Sequence, residues 1–258
     1  MFIQSFRFKN LLIVSGAILA GLALGLCVLL MAIRSAASPP TEETLKESST
    51  SQKTVWLTFD DGPSAITGEI LDVLKEKNVP ATFFVIGATT DRGKKLYQRI
   101  VDEGHALGIH SYSHRYQQIY ASADAYLEDF NRLSDHLEKY AGVRPDIFRF
   151  PGGSLNQYAD PAVLQQIKER MTKEGKVWFD WNALAKDDKA SPTPAEEMFE
   201  NILQSAGDQE QILILMHDDT LRTTAAECVS MLIDHYQELG YTFEKLSAET
   251  DPIQFSEK

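Results

Sequence analysis

From Thr54 onward, short uninterrupted apolar runs alternate with longer stretches whose apolar residues recur three and four positions apart. The runs read as strands buried on both faces, and the stretches as helices with one covered face. Strands are predicted over Thr54–Phe59, Ala81–Gly87, His105–His110, Ile147–Phe150, Val177–Ala183, Gln211–His217 and Tyr241–Leu246. Helices are predicted over Ser64–Asn78, Thr90–Glu103, about Ser122 to Tyr140, Ala159–Lys173, Ala195–Ser205 and about Thr224 to Leu239, with Ser64 placed as an N-cap. Such alternation implies parallel strands with helices outside them, and a closed or nearly closed α/β barrel is the economical solution. In that architecture reactive groups collect at the C-terminal ends of the strands.

Before Thr54 the pattern changes. No charged residue occurs from Leu11 to Ile33, Arg34 ends the run, and Arg7 and Lys9 precede it. About 20 apolar residues cross a bilayer as a helix, and basic residues ahead of the span keep the N-terminus in the cytoplasm. The expectation is a cytoplasmic segment over 1–10, a single-pass transmembrane helix over 11–33, a flexible linker over 34–53 and an extracellular globular domain over 54–250. The rival is a cleaved signal peptide ending near Ser35-Ala36-Ala37, although such peptides carry a shorter apolar region of about 7–15 residues. Leu24-Gly25-Leu26-Cys27 is only slightly like a lipoprotein box, because Leu directly precedes the Cys and the apolar run continues beyond it. The linker is rich in Ser, Thr, Pro and Glu and cannot bury a core.

The 258-residue length allows one large domain or two small ones, and the net charge of -12 argues against nucleic acid as the main partner. A strongly anionic polymer is disfavoured as substrate unless contact is local. Two cysteines far apart, Cys27 and Cys228, offer no disulfide framework.

The polar residues that interest chemistry mostly close the predicted strands. Asp60 and Asp61 follow the first strand, and Gly62-Pro63 turns the chain away. Adjacent carboxylates resist joint ionisation unless a cation holds at least one of them; alone, the pair would read as a solvated turn. His110 and His114 stand four apart, so one helical turn would aim both at a single metal ion. With the Asp pair they offer two imidazoles and a carboxylate with open positions. Arg149 can fork onto a carboxylate across the barrel, and the irregular Pro151-Gly152-Gly153 backbone can present free N–H groups. Trp181, in Asp180-Trp181-Asn182, serves either as a wall for a sugar ring or as core. His217, released at the end of the most continuously apolar strand, suits a general acid. His105, His136 and His235 read as structural or solvated.

In order, Thr58-Phe59-Asp60-Asp61-Gly62-Pro63-Ser64, His110-Ser111-Tyr112-Ser113-His114, Arg149-Phe150-Pro151-Gly152-Gly153, Asp180-Trp181-Asn182 and Leu215-Met216-His217-Asp218 resemble the motifs of the polysaccharide deacetylases with a NodB homology domain, carbohydrate esterase family 4. More narrowly, the chain resembles the membrane-anchored peptidoglycan N-acetylglucosamine deacetylases of Gram-positive bacteria. The resemblance covers roughly residues 54 to 247. It implies a distorted (β/α)7-type barrel and a divalent metal, usually Zn2+, with Co2+ or Mn2+ as alternatives. It also implies hydrolysis of N-acetyl groups on an amino-sugar polymer. It assigns Asp60 as general base, Asp61, His110 and His114 as metal ligands, and Arg149 as the group that orients the base. It further assigns the Gly152 N–H to the oxyanion position, where the family often has Tyr, and His217 as general acid. The fourth motif departs from the family pattern of Asp-x-x-Asp-Trp: Asp180-Trp181 matches its end, but Val177 stands where the first acid belongs. Asp187 is the candidate substitute that tunes His217. The implied partner is an N-acetylated glycan, with the membrane reached through the anchor. Chitin oligomers, an exopolysaccharide, the N-acetylmuramic residue, or a non-catalytic wall-binding role are the other readings.

Overall fold

The first strand, β1 (Thr54–Asp60), is buried at every position. The computed structural model describes residues 52–256. The expected segments 1–10 and 11–33, and all but the end of the linker over 34–53, lie outside the described residues. Among the described residues no helix is long and apolar enough to cross a membrane.

After β1 come α1 (Ala65–Lys77), β2 (Thr82–Ile86), α2 (Asp91–Asp102), β3 (Ala106–Ser111), a short α3 (Tyr116–Ile119) and α4 (Ala123–Ala141). The chain continues through β4 (Ile147–Phe148), α5 (Pro161–Lys173), β5 (Val177–Trp178), β6 (Ala183–Leu184), α6 (Ala195–Ala206), β7 (Gln211–His217), α7 (Ala225–Glu238) and β8 (Thr242–Phe243). The sheet runs in the order β5-β4-β3-β2-β1-β7-β6, with β8 also on β1. All pairings are parallel. β8 covers β1 at Thr54 and Val55, and β2 covers it from Thr58 to Asp60. The ends, β5 and β6, do not pair, so the barrel is incompletely closed.

Strand side chains alternate between faces, and the two cores follow that alternation. Val55, Leu57 and Phe59 of β1, with Ile212, Ile214 and Met216 of β7, face the helices. Trp56 and Leu213 face inward, packed with Phe84, Ile147, Phe179 and Leu246. The inward positions continue at Thr58 and Asp60 on β1 and at Leu215 and His217 on β7. The register pairs Asp60 with His217. The two-residue period therefore carries both groups to the same mouth of the barrel.

Several expected strands are shorter than predicted, and for one of them competing hydrogen bonds supply the reason. The single strand expected over Val177–Ala183 is two, because the backbone of its middle is engaged elsewhere. Arg149 donates to the carbonyls of Phe179 (3.0 Å) and Asp180 (3.0 Å), and Asp180 N donates to Ile253 O (2.8 Å). The strand expected over Ile147–Phe150 ends at Phe148, and the last expected strand keeps only Thr242–Phe243. Ser64 caps α1 as expected: its hydroxyl accepts from Ile66 N at 2.9 Å, and its own N–H donates to Thr67 Oγ1 at 2.7 Å.

Candidate active site

Asp61 follows the last residue of β1 in the left-handed backbone region, φ 75°. This turns its carboxylate away from the strand alternation and towards the two imidazoles. Asp61 Oδ1 lies 3.1 Å from His114 Nε2 and 3.5 Å from His110 Nε2. His110 and His114 do not share a helical turn, contrary to the condition on which the pairing was expected. His110 ends the inward face of β3, and a bend brings His114 back at φ 49° so that the rings stack 5.2 Å apart. The bend is held by Asp129 from α4, whose carboxylate accepts from Tyr112 N (2.5 Å) and Ser113 N (3.1 Å), and by Ser111 Oγ, which accepts from His114 N (2.9 Å). Asp129 has no distinguishing signal in the sequence; it is one of several acids on an amphipathic helix.

This trio fits a divalent cation. One ligand atom from each of Asp61, His110 and His114 lies within 4.8 Å of the others. Asp61 Oδ1 and His114 Nε2 are both buried with no hydrogen-bond partner, although they are 3.1 Å apart. Two such orphaned atoms aimed at one point lack the positive charge that a cation would bring. His110 Nδ1 lies 2.9 Å from the Arg149 carbonyl, which fixes the N–H on that nitrogen and leaves Nε2 with its lone pair towards the cluster. Burial holds the His110 imidazole down at about 3, in the neutral form a ligand needs.

Asp60 is 2% exposed. Its Oδ1 accepts from Arg149 Nη1 at 2.9 Å, and the same nitrogen donates to Thr58 Oγ1 at 2.7 Å. The guanidinium is fully buried, 4.4 Å from the centre of the Phe84 ring. Burial raises the Asp60 carboxyl above the usual range, while the charges of Arg149 and His217 pull it back. Across the strand pair, His217 Nδ1–H donates to Asp187 Oδ1 at 2.8 Å, and His217 N donates to Asp187 Oδ2 at 2.9 Å. Burial alone would lower the imidazole, but the hydrogen bond and charge of Asp187, with Asp60 and Asp61 behind it, raise it to about 9.

Asp180 is not beside His217. Its carboxylate binds Ser154 and the backbone of Phe255. Gly152, at φ 79°, is exposed on the groove wall. Trp181 is half-buried: it lines the groove and also packs on the inner core. The groove has a volume of about 510 Å³, and Tyr116 and Tyr158, their rings 4.2 Å apart, line it together with Trp181. Of the histidines read as structural, His105 accepts from Ala81 N through Nδ1 at 3.1 Å, and His136 bonds the Ala88 carbonyl at 2.8 Å.

Asp218 is also buried, and its sequence context does not single it out. Asp218 N donates to Asp60 O at 3.0 Å, and its carbonyl and carboxylate accept from Ser64 Oγ and Thr67 Oγ1, both at 2.5 Å. It anchors the Asp60–Ser64 turn to β7, and burial pushes its carboxyl up to about 7.

Comparison with known proteins adds a lineage to this geometry. The family model described as polysaccharide deacetylase matches residues 47–170. A peptidoglycan-N-acetylglucosamine deacetylase of Bacillus cereus is 31% identical over 210 residues, covering 79% of this chain and 73% of that protein. The peptidoglycan-N-acetylmuramic acid deacetylase PdaC of Bacillus subtilis is 32% identical over 215 residues, covering 81% of this chain and 41% of that longer protein. The catalytic domain of a peptidoglycan N-acetylglucosamine deacetylase from Eubacterium rectale superposes with a TM-score of 0.75 at 31% identity, covering 80% of this chain and 94% of that one. Sequence, barrel topology and the groups gathered at its mouth agree, and the chain belongs to the polysaccharide deacetylase family of hydrolases.

Proposed function

We propose that this protein hydrolyses N-acetyl groups from N-acetylglucosamine residues of peptidoglycan, releasing acetate and leaving a free amine on the glycan. The observation that carries the reading is the pairing of Asp60 with His217 across β1 and β7. The first is clamped by a cation, Arg149, and the second by an anion, Asp187. Opposite partners drive two neighbouring titratable groups towards opposite protonation states, which is what one base and one acid in the same site require.

Asp61, His110 and His114 would hold the divalent metal, with zinc favoured by two imidazoles and one carboxylate and Co2+ or Mn2+ as alternatives. The bound ion supplies Lewis-acid polarisation of the acetamide carbonyl and of water. Asp60, oriented by Arg149, takes the proton from the attacking water. The Gly152 N–H donates to the oxyanion that forms on the former carbonyl, a contribution typically of about 3 kcal/mol in the transition state. Asp187 holds the Nδ1–H of His217, so Nε2 carries the proton towards the groove and gives it to the departing nitrogen. Without that proton the amine is a poor leaving group. Atoms balance as one water consumed, one acetate released and one amine formed.

N-acetylglucosamine is proposed over N-acetylmuramic acid on the likeness to the Bacillus cereus and Eubacterium rectale deacetylases named for that sugar. The relatives named for each sugar make the choice a real one. The proposed location is the outer face of the cell membrane, held by the apolar segment over 11–33. There, deacetylation adds positive charge to the wall glycan and removes the acetyl group that lysozyme-type hydrolases read.

Acetate release is the direct test, measured on peptidoglycan, N-acetylglucosamine oligomers and acetylated exopolysaccharide. Each is run metal-free, with zinc restored, and with Asp60→Asn. Zinc-dependent release lost in the variant supports the reading, and the preferred polymer decides among substrates. Absence of acetate from every glycan, with zinc bound, overturns it in favour of a wall-binding protein.

A further inference from the structure

Asp180 is fully buried, and its hydrogen bonds converge from three separate parts of the chain. Oδ1 accepts from Ser154 N at 2.8 Å; Oδ2 accepts from Ser154 Oγ at 2.5 Å and from Phe255 N at 2.8 Å. Its backbone N donates to Ile253 O at 2.8 Å, and its carbonyl accepts from Arg149 Nη2 at 3.0 Å. Two of these partners belong to the segment that follows β8, far from Asp180 in sequence.

That segment occupies the place where the barrel fails to close. Gln254 Nε2 donates to Trp178 O at 3.0 Å on the unpaired side of β5, and Ile253 packs against the inner core. The Phe255 ring meets Trp181 edge-on at 4.9 Å. Gly153 is pressed beneath both rings. At φ 85° a Cβ there would come within 3.1 Å of Phe255 and 3.1 Å of Trp181.

We propose that Asp180 and the segment Ile253–Phe255 form a positioning unit that holds Arg149 against Asp60 and the Gly152–Ser154 loop against the groove. Arg149 spends two of its three nitrogens on the carbonyls of Phe179 and Asp180, so the direction of the third, which donates to Thr58 Oγ1 and Asp60 Oδ1, depends on where those carbonyls are fixed. Ile253 and Phe255 fix them through Asp180. The same carboxylate holds Ser154, two residues past the Gly152 N–H. A shift of the tail therefore reaches the base and the oxyanion donor together without touching substrate. The inference rests on the roles proposed above for Asp60 and Gly152.

The experiment uses the full chain with Phe255→Ala, Phe255→Pro, Asp180→Asn and Asp180→Ala. It measures kcat and KM on an N-acetylglucosamine oligomer, zinc content, melting temperature, and amide exchange over residues 151–156. Phe255→Ala keeps the backbone donor to Asp180, whereas Phe255→Pro removes it. Phe255→Pro is expected to lower kcat about tenfold, with KM changed less than about threefold, and to speed exchange at the Ser154 amide while zinc stays bound. Asp180→Ala should lower kcat about 100-fold, and Asp180→Asn, which keeps one acceptor oxygen, should fall between. Should Asp180→Ala not fold, the Phe255 pair decides. A kcat within about twofold of the parent in zinc-loaded Phe255→Pro and Asp180→Asn overturns the proposal, as does a loss that only follows melting or zinc content. A parent protein that releases no acetate sinks the deacetylase reading instead; unchanged exchange at Ser154 in Phe255→Pro would even then refute the clamp.

Discussion

Asp187 meets His217 twice, through the ring Nδ1–H at 2.8 Å and through the backbone N–H at 2.9 Å. One carboxylate thus fixes both the strand end and the imaginable rotations of its imidazole. The aspartate is 1% exposed, so its charge acts on the ring with little screening.

The first prediction concerns pH. In the role proposed for it His217 acts as an acid only when protonated, and the raising of its value to about 9 by Asp187, Asp60 and Asp61 favours that form through neutrality. Activity should therefore fall as pH rises through the folded value, not below it. In Asp187→Asn the main raising influence is gone, so the alkaline limb should move down by at least one pH unit, towards the ordinary histidine value of about 6.5. Turnover at neutral pH should drop about 10- to 100-fold. Profiles of kcat against pH for the two proteins check this, and coincident alkaline limbs would refute it.

The metal cluster predicts a stability effect independent of turnover. Zinc added to the metal-free protein should be bound by Asp61, His110 and His114 and so favour the folded state, by about 2.7 kcal/mol at free metal 100-fold above its dissociation constant. For a domain of this size that is a rise in melting temperature of about 5–10 °C. In His114→Ala the rise should vanish. A full rise in that variant would place the metal elsewhere.

Arg149 cannot be replaced by lysine at low cost. It donates to Phe179 O, Thr58 Oγ1, Asp60 Oδ1 and Asp180 O from a fully buried position. A lysine ammonium lacks the planar fork, so at least one buried acceptor would go unmet. Arg149→Lys should destabilise the protein by about 3–5 kcal/mol in urea unfolding and lower kcat more than it raises KM. A variant with parental stability would mean that water replaces the missing donors.

How far the site was legible in the sequence depended on distance along the chain. Asp60, His110, Arg149 and His217 each end or follow a conspicuous apolar run, and the two-residue strand period aims Asp60, His110 and His217 at the mouth of the barrel. The helices were equally readable, because Ile66, Ile70 and Leu74 repeat at helical spacing and the Ser64 cap precedes them. Asp180 and Asp187 were not separable in that way. Both are acids near one short strand, and what distinguishes them is contact with Phe255 in one case and with His217 in the other. The break between β5 and β6 was hidden for the same reason. Its cause is a set of backbone groups engaged elsewhere: carbonyls claimed by Arg149, about 30 residues earlier, and the Asp180 N–H, which donates to Ile253 O in the segment after β8. Asp129 and Asp218 support the ligand turns through backbone N–H and hydroxyl groups, which leave no mark on hydrophobic patterning.

The Asp60–Ser64 turn gives a last prediction, on a residue that carries no chemistry. A Cβ added at Gly62 would overlap the Asp218 carboxylate, which Thr67 Oγ1 holds in place at 2.5 Å and which has no exposed surface into which to retreat. Either Asp218 or the turn must move, and the turn carries Asp61. Gly62→Ala should thus cost about 1–3 kcal/mol of stability and weaken zinc binding about tenfold or more. Gly175→Ala is the control: Gly175 has φ 71° and nothing within 4 Å of an added Cβ, so it tests backbone strain alone. It should cost about 1 kcal/mol and leave zinc affinity and kcat unchanged. Calorimetric zinc titration of both variants separates the cases. Parental affinity in Gly62→Ala would show that the ligand turn is positioned without Asp218.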